Sequence, residues 1–374
     1  MSYNSGLTIF ILLTGLILCP FAAALDSPDE KNNIILPGNE NHEEPGIIPV
    51  GILLPQSGFI SDIGKEYEDA FGIASNEYPG SVLMPVLMDA GSDSKTSVAA
   101  WNKMKTEYPN LSIIITIASW TTNAIYPEAA KDGILHIALG SAVVSQNNDS
   151  DRLVRFTPGV EQESPVLAKF LKQYDRVLIL GSDNDYSNGY IKALESIIPE
   201  KIAGIVKYDP DRLEKSLDTE TISENNPDII LLLSVTEGGK VIGIIREHGI
   251  SVPILGTRVI ERNTLLDESA AEGLIFTTPA LDRSYPFFNQ YLEQFGEEAT
   301  FYGAEGYDAM MNLYKAADAC KDDTGCLSSW FTNYSYNGTL GEVKLDENRV
   351  AFYPIEFRVI RDGKFEPFYQ TVNS

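Results

Sequence analysis

The residues best placed to do chemistry lie in two short stretches, 118–123 (ASWTTN) and 140–144 (GSAVV). Each follows a run rich in Ile and Leu, "LSIIITI" and "ILHIAL". Each then offers small hydroxyls: Ser119, Thr121 and Thr122 in the first, Ser141 in the second. Hydroxyls and backbone N–H groups at the start of a helix suit a carboxylate or similar anion. Ser and Thr also serve as ordinary helix N-caps. Trp120, between the hydroxyls, offers a stacking face or plain packing. Capping and a cradle for a small polar ligand both stay open on these residues alone.

Other chemistries lack their residues. The turn at 54–64 (LPQSGFISDIG) is rich in small residues but has no Gly-Lys-Ser/Thr ending, so it is no phosphate loop. There is no G-x-S-x-G and no Cys–His pairing. In "DNDYSNGYIKALE" (183–195) the glycine and the last acid each fall one place late for a calcium loop. The three histidines, His42, His136 and His248, are scattered. The expectation is a protein without enzymatic activity, cofactor or metal.

The elements that must position these turns alternate. Buried strands "IIPVGILLP", "VLMPVLMD", "LSIIITIA" and "ILHIAL" are separated by helices, and the pattern resumes after residue 158 with "RVLIL", "AGIVKY", "DIILLL" and "VPILG". Short continuous Ile/Leu/Val runs are the mark of parallel strands buried on both faces. Helices are predicted at 65–78, 122–132, 187–198 and 237–248; in the first, Tyr67, Ala70, Phe71, Ala74 and Tyr78 form one apolar stripe. About ten strands are too many for one ordinary sheet, so two α/β lobes are expected. In such sheets ligands bind beyond the carboxyl ends of the strands, where both hydroxyl turns lie.

Length and composition agree. The 374 residues suffice for two or three domains, and 44% hydrophobic with 22% charged residues is ordinary for a globular protein. A net charge of −25 disfavours nucleic acid and anionic membranes as partners. No residue before Asp26 is charged, and apolar 7–19 followed by "PFAAAL" predicts a signal peptide over 1–24, or alternatively an uncleaved N-terminal anchor. Residues 25–46 read as an acidic flexible linker. Export makes a disulfide between Cys320 and Cys326 the expected use of those thiols. Asn333-Tyr-Ser and Asn337-Gly-Thr are glycosylation sequons.

With "VGILLPQSGFISDIGKEYEDAFGIASNE", "LMDAGSDSKTSVAAWNKM", "IASWTTNAIYPEAAKDGILHIALGSA", "SDNDYSNGY" and "GAEGYDAM" in this order, residues 47–374 resemble a type I periplasmic solute-binding protein of the Leu/Ile/Val-binding family. The resemblance implies two Rossmann-like lobes with parallel sheets joined by three hinge crossings, here near Thr157–Pro158, Thr277–Pro279 and Leu340–Glu342. Lobe 1 would be 47–157 plus 279–341, and lobe 2 would be 158–278 plus 342–374. Residue by residue, it implies that Ser119 binds a ligand carboxylate and that Gly140, Ser141 and Ala142 add bonds. Tyr186 would face the cleft from lobe 2 and Tyr302 the ligand side chain from lobe 1. Ser234 stands where the family has a tyrosine. Arg258 stands where amino-acid binders carry an acid for the ligand's ammonium; a guanidinium there would welcome a second carboxylate. The bland alternative has Arg258 facing solvent and Glu261 in the acid's role. The implied function is extracytoplasmic capture of an amino acid or related organic acid, by a monomer, for an ABC permease. The alternative is the ectodomain of a sensory receptor.

Overall fold

A computed structural model of the chain describes residues 46–142, 152–266 and 269–369. The expected leader, and the linker before Gly46, lie outside the described residues. The first half of the body alternates strictly: β1 (Ile48–Leu54), α1 (Ser61–Glu77), β2 (Leu83–Asp89), α2 (Ser94–Glu107), β3 (Ile113–Ile117), α3 (Ser119–Lys131), β4 (Leu135–Leu139) and β5 (Leu153–Arg155). The five strands form one all-parallel sheet in the order β2-β1-β3-β4-β5. Every side chain of β3 and β4 is buried, because helices cover both faces. One face packs Ile52, Ile113 and Ile115 with Tyr67 and Phe71 of α1. The other packs Leu53 and Ile114 with Trp101 and Met104 of α2 and Ile125 of α3. Each such side chain contributes roughly 1.5–3 kcal/mol when fully buried.

The second lobe repeats the plan with α4 (Val160–Leu171), β6 (Val177–Ser182), α5 (Asp185–Ile197), β7 (Ile202–Tyr208), α6 (Leu213–Ser216) and α7 (Thr219–Glu224). It continues with β8 (Ile229–Leu233), α8 (Gly238–Glu247), β9 (Ile254–Gly256), α9 (Asn263–Leu266) and β10 (Ile275–Pro279). The parallel strands run β7-β6-β8-β9-β10, the same winding as the first sheet. Alternate residues of β6 and β8 face two separate cores: Leu178 and Leu180 meet α8, while Val177 and Ile179 meet α4 and α5.

The chain then returns to the first lobe. α10 (Pro286–Phe295), α11 (Phe301–Cys320) and α12 (Thr324–Trp330) lay Phe287, Phe301, Tyr307 and Leu313 into the first core. Five more strands follow, all paired antiparallel. β11 (Ser335–Gly338), β12 (Gly341–Leu345) and β13 (Ala351–Phe352) form a small sheet of their own. β14 (Ile355–Arg361) and β15 (Lys364–Pro367) extend the second sheet beside β10. Leu340, Val343, Leu345 and Ala351 all belong to the first core. The third crossing therefore lies at Tyr353–Pro354, not at Leu340–Glu342, and residues 342–353 pack with the first lobe. Cys320 and Cys326 are disulfide-bonded at the end of α11. Asn333 and Asn337 are exposed, the second within β11 rather than in a loop.

Helix starts differ from the sequence pattern most at α1 and α3. Asp93 caps α2 by accepting the N–H groups of Lys95 and Thr96 at 2.8 and 2.9 Å. α1 and α3 have no side-chain cap and begin earlier than predicted, at Ser61 and Ser119.

Asp308 of α11 holds the β11–β12 turn by accepting the N–H of Thr339 at 3.0 Å. Its side chain is 2% exposed, and burial pushes its pKa from 3.8 up to about 6. The folded state thus binds this proton more tightly than the unfolded chain does. The contribution is largest below the unfolded pKa and declines as pH rises through about 6, by roughly 3 kcal/mol in all. Urea unfolding at pH 4.5 and pH 7.5 checks this: the loss of stability between the two should be smaller in Asp308→Asn than in the native chain.

Candidate functional site

The shared winding reverses between β1 and β3 in the first sheet and between β6 and β8 in the second. Such switch points open a crevice beyond the carboxyl ends of the strands. Here both crevices face one cavity of about 1110 Å³, lined by residues of both lobes. The first lobe supplies Phe59, Ala118, Ser119, Trp120, Gly140 and Ala142. The second supplies Ser182, Asn184, Tyr186, Thr236, Glu237 and Arg258, and Tyr302 of α11 joins them.

The first hydroxyl turn is built under strain. Ala118 has φ 74° and ψ 150°, a conformation that a non-glycine residue adopts only when its surroundings impose it. Its N–H donates to the Leu139 carbonyl at 3.0 Å, which fixes the turn against β4. The result aims the uncapped start of α3 into the cavity, with Ser119 and Trp120 on the wall. The other two hydroxyls face inward: Thr121 bonds Ser97 and Thr122 bonds Thr116, both at 2.9 Å. The Trp120 ring packs 5.7 Å from Phe59, and its buried indole N–H has no acceptor among the described residues.

The second turn is used differently from its sequence reading. Gly140, at φ 57°, donates its N–H to Glu305 of α11 at 2.9 Å. Ser141 donates its N–H to the Thr157 hydroxyl at 3.1 Å and does not line the cavity. The N–H groups of Gly140 and Ser141 are thus committed to the protein, and of the three residues expected to add bonds to the ligand only Gly140 and Ala142 reach the wall. Tyr186 lines the cleft and hydrogen-bonds Thr257. Tyr302 is 5% exposed and sits edge-on to Tyr67 at 5.9 Å. Ser234 lies off the main cavity and lines a smaller pocket beside it.

Arg258 lines the cavity but brings no unbalanced charge. It is 2% exposed, ion-paired with Glu163 of α4, and donates to Tyr190 at 3.2 Å and to the Pro158 carbonyl at 2.9 Å. The electrostatic case for Arg258 as the seat of a second ligand carboxylate therefore falls, since Glu163 already fills that role. Nor does Arg258 face solvent. Glu261 is fully buried against Arg358, at 2.6 Å, and Thr278, and it does not line the cavity.

The sequence reading missed Glu163 and Glu305, buried carboxylates that bond the cavity-lining Arg258 and Gly140. Glu305 accepts hydroxyls from Tyr67 and, at 2.6 Å, from Thr157. Burial pushes its pKa up, opposed by the bonds from Thr157, Tyr67 and Gly140. Its signal was available: an acid between small residues in "GAEGYDAM", on a helix buried almost throughout. Arg262 was missed as well. It runs from the second lobe to Asp62 of α1, its Nε 2.8 Å from the carboxylate, and bridges the two lobes.

A buried ion pair stripped of one partner leaves an uncompensated charge, at a cost of about 3–5 kcal/mol. Glu163→Gln should lower stability by about that amount in urea unfolding. The double variant Glu163→Leu with Arg258→Met should recover most of it.

Among the described residues, no helix is long and apolar enough to cross a membrane. No curated protein matches the chain in sequence. Among solved structures, an extracellular ligand binding receptor from Desulfohalobium retbaense is 30% identical with a TM-score of 0.81, over 86% of this chain. The chain spans 59% of that protein's length. A leucine binding protein, LivK, from Thermotoga maritima is 23% identical with a TM-score of 0.78, covering 86% of this chain and 98% of that one. A solute binding protein of an ABC transporter from R. palustris, in complex with benzoate, shares the fold at 15% identity and TM-score 0.78, covering 86% and 95%. Residues 47–355 match the sequence profile described as periplasmic binding protein. Two parallel α/β lobes of the same winding, facing one cleft and covered by that profile from β1 through β13, place the chain in the periplasmic binding protein family with the type I fold.

Proposed function

We propose that the chain is an extracytoplasmic solute-binding protein that captures a small carboxylate-bearing ligand, an amino acid or related organic acid, for an ABC permease. The observation that carries this reading is the place of the start of α3: Ser119 and Trp120 line the cavity directly after the strained Ala118. Helix N-terminal N–H groups with the Ser119 hydroxyl beside them make a carboxylate seat. Trp120 and Phe59 give that seat an apolar wall, and the indole N–H awaits an acceptor. Leucine and benzoate, named with two of the similar structures, share only a carboxylate and an apolar body, which fits such a seat. Capture without chemistry is the role. The Asp62–Arg262 bridge supports lobe closure over the ligand, with the chain acting as a monomer.

A receptor ectodomain is the second reading. It rests on the 30% identical protein, which is described as a receptor and is longer than this chain.

Thermal unfolding of the purified protein against branched-chain amino acids, aromatic acids and short organic acids tests the proposal. A ligand at a hundred times its dissociation constant adds about 2.7 kcal/mol, a shift of several degrees. Carboxylates should stabilise and their amides should not. Ser119→Ala should weaken binding roughly tenfold or more, the worth of a hydrogen bond to a charged group. Equal stabilisation by acids and amides would contradict a carboxylate seat.

A further inference from the structure

Beside the main cavity lies a side pocket of about 170 Å³ that shares Val235, Thr236, Gly239, Lys240 and Val259 with it. Its floor is the start of α8, a helix of ten residues without a side-chain cap. Val241 is the first residue of α8 whose N–H finds a carbonyl, that of Glu237 at 3.0 Å, and the N–H groups of Gly238, Gly239 and Lys240 take no acceptor among the described residues. The helix N-terminus is not the only polar feature there. Ser234, 1% exposed, lines the same pocket, and its hydroxyl has no partner among the described residues. That hydroxyl lies over Gly238, where a Cβ would approach it to 2.7 Å, so the glycine leaves the space open.

The charges around the pocket point the same way. Lys240 is exposed at its rim and forms no ion pair among the described residues. Arg262 also lines the pocket, but its guanidinium is taken by Asp62. Glu237, the nearest acid, does not line this pocket; it accepts the Tyr208 hydroxyl at 2.7 Å and the Thr236 N–H at 2.8 Å, and it faces the main cavity. A helix N-terminus, one unpartnered buried hydroxyl and one unpaired ammonium together match a single negative charge. A phosphate would bring up to two charges to this one unpaired cation, so a carboxylate is the better fit.

We propose that this pocket seats a second carboxylate of the same ligand, so that the captured solute is a dicarboxylic acid spanning from the start of α3 to the start of α8. The first carboxylate lies at Ser119 in one lobe. The second accepts hydrogen bonds from Ser234 and the α8 N–H groups and pairs with Lys240 in the other. A diacid held at both helix starts links the lobes directly. The inference rests on the cleft reading above.

Calorimetric titration of the full chain decides it. Dicarboxylates from succinate to pimelate are each compared with the monoacid of equal length, and glutamate with norvaline. At least one diacid should bind ten times more tightly than its monoacid partner. Lys240→Gln and Ser234→Ala, each checked for native thermal unfolding without ligand, should bring that ratio down about tenfold. If monoacids bind as tightly as diacids, the second seat is overturned and the cleft reading stands. If the diacid preference survives unchanged in both variants, the second carboxylate sits elsewhere and the proposal fails. If neither class binds at millimolar concentration, both readings fall.

Discussion

Three buried carboxylates, each accepting the hydroxyl of a threonine on a crossing strand, hold the molecule in its working shape. Glu305 takes Thr157 of the first crossing, and Glu163 and Glu261 take Thr277 and Thr278 of the second. The third crossing is tied in by the Tyr353 hydroxyl on the Phe156 carbonyl at 3.0 Å and by the Ala280 N–H on the Pro354 carbonyl at 2.9 Å. Charges this deep are costly unless matched. Glu163 and Glu261 are matched by Arg258 and Arg358. Among the described residues Glu305 has no cation bonded to it and takes three donors, one of them the Gly140 N–H on the cavity wall. The network that fixes the crossings therefore also fixes part of the site.

Given crossings of fixed geometry, the rest follows from winding. Both sheets reverse order at equivalent strands, so both open their crevices at carboxyl ends. At those ends the Trp120 indole, the Ser234 hydroxyl and the first N–H groups of α8 find no partner among the described residues. Buried polar groups are almost always paired in a folded protein. Two of the exceptions, the Trp120 indole and the Ser234 hydroxyl, lie at this cleft, as a site for a polar ligand requires.

Much of this could be read in the sequence, and the misses have physical causes. The buried strands stood out as continuous Ile/Leu/Val runs, and β1 to β4 and β6 to β9 fall where those runs predict, whereas β5 and β10 are too short or too rich in threonine to form such a run. Helix starts were misjudged at α1 and α3, where the first turns, Ser61–Gly64 and Ser119–Thr121, read as part of the preceding small-residue turns. The hydroxyl turns were located correctly, yet the targets of their hydroxyls and N–H groups were not legible. Thr121 and Thr122 turn inward, and Gly140 and Ser141 are claimed by Glu305 and Thr157. The partner of Arg258 sits 95 residues away in the chain, so nothing local announces that its charge is spent. The third crossing was set too early because β12 carries its apolar residues, Val343 and Leu345, back into the first core.

The central claim is that ligand sits at the start of α3 between the lobes, and Trp120 is its natural reporter. Of the three tryptophans, Trp120 lines the cavity while Trp101 and Trp330 do not. Fluorescence titration with the tightest-binding acid tests the claim directly. The account predicts an emission change that saturates with the calorimetric dissociation constant and is absent in Trp120→Phe. A change of full size in that variant, or none in the native protein at saturation, would contradict it.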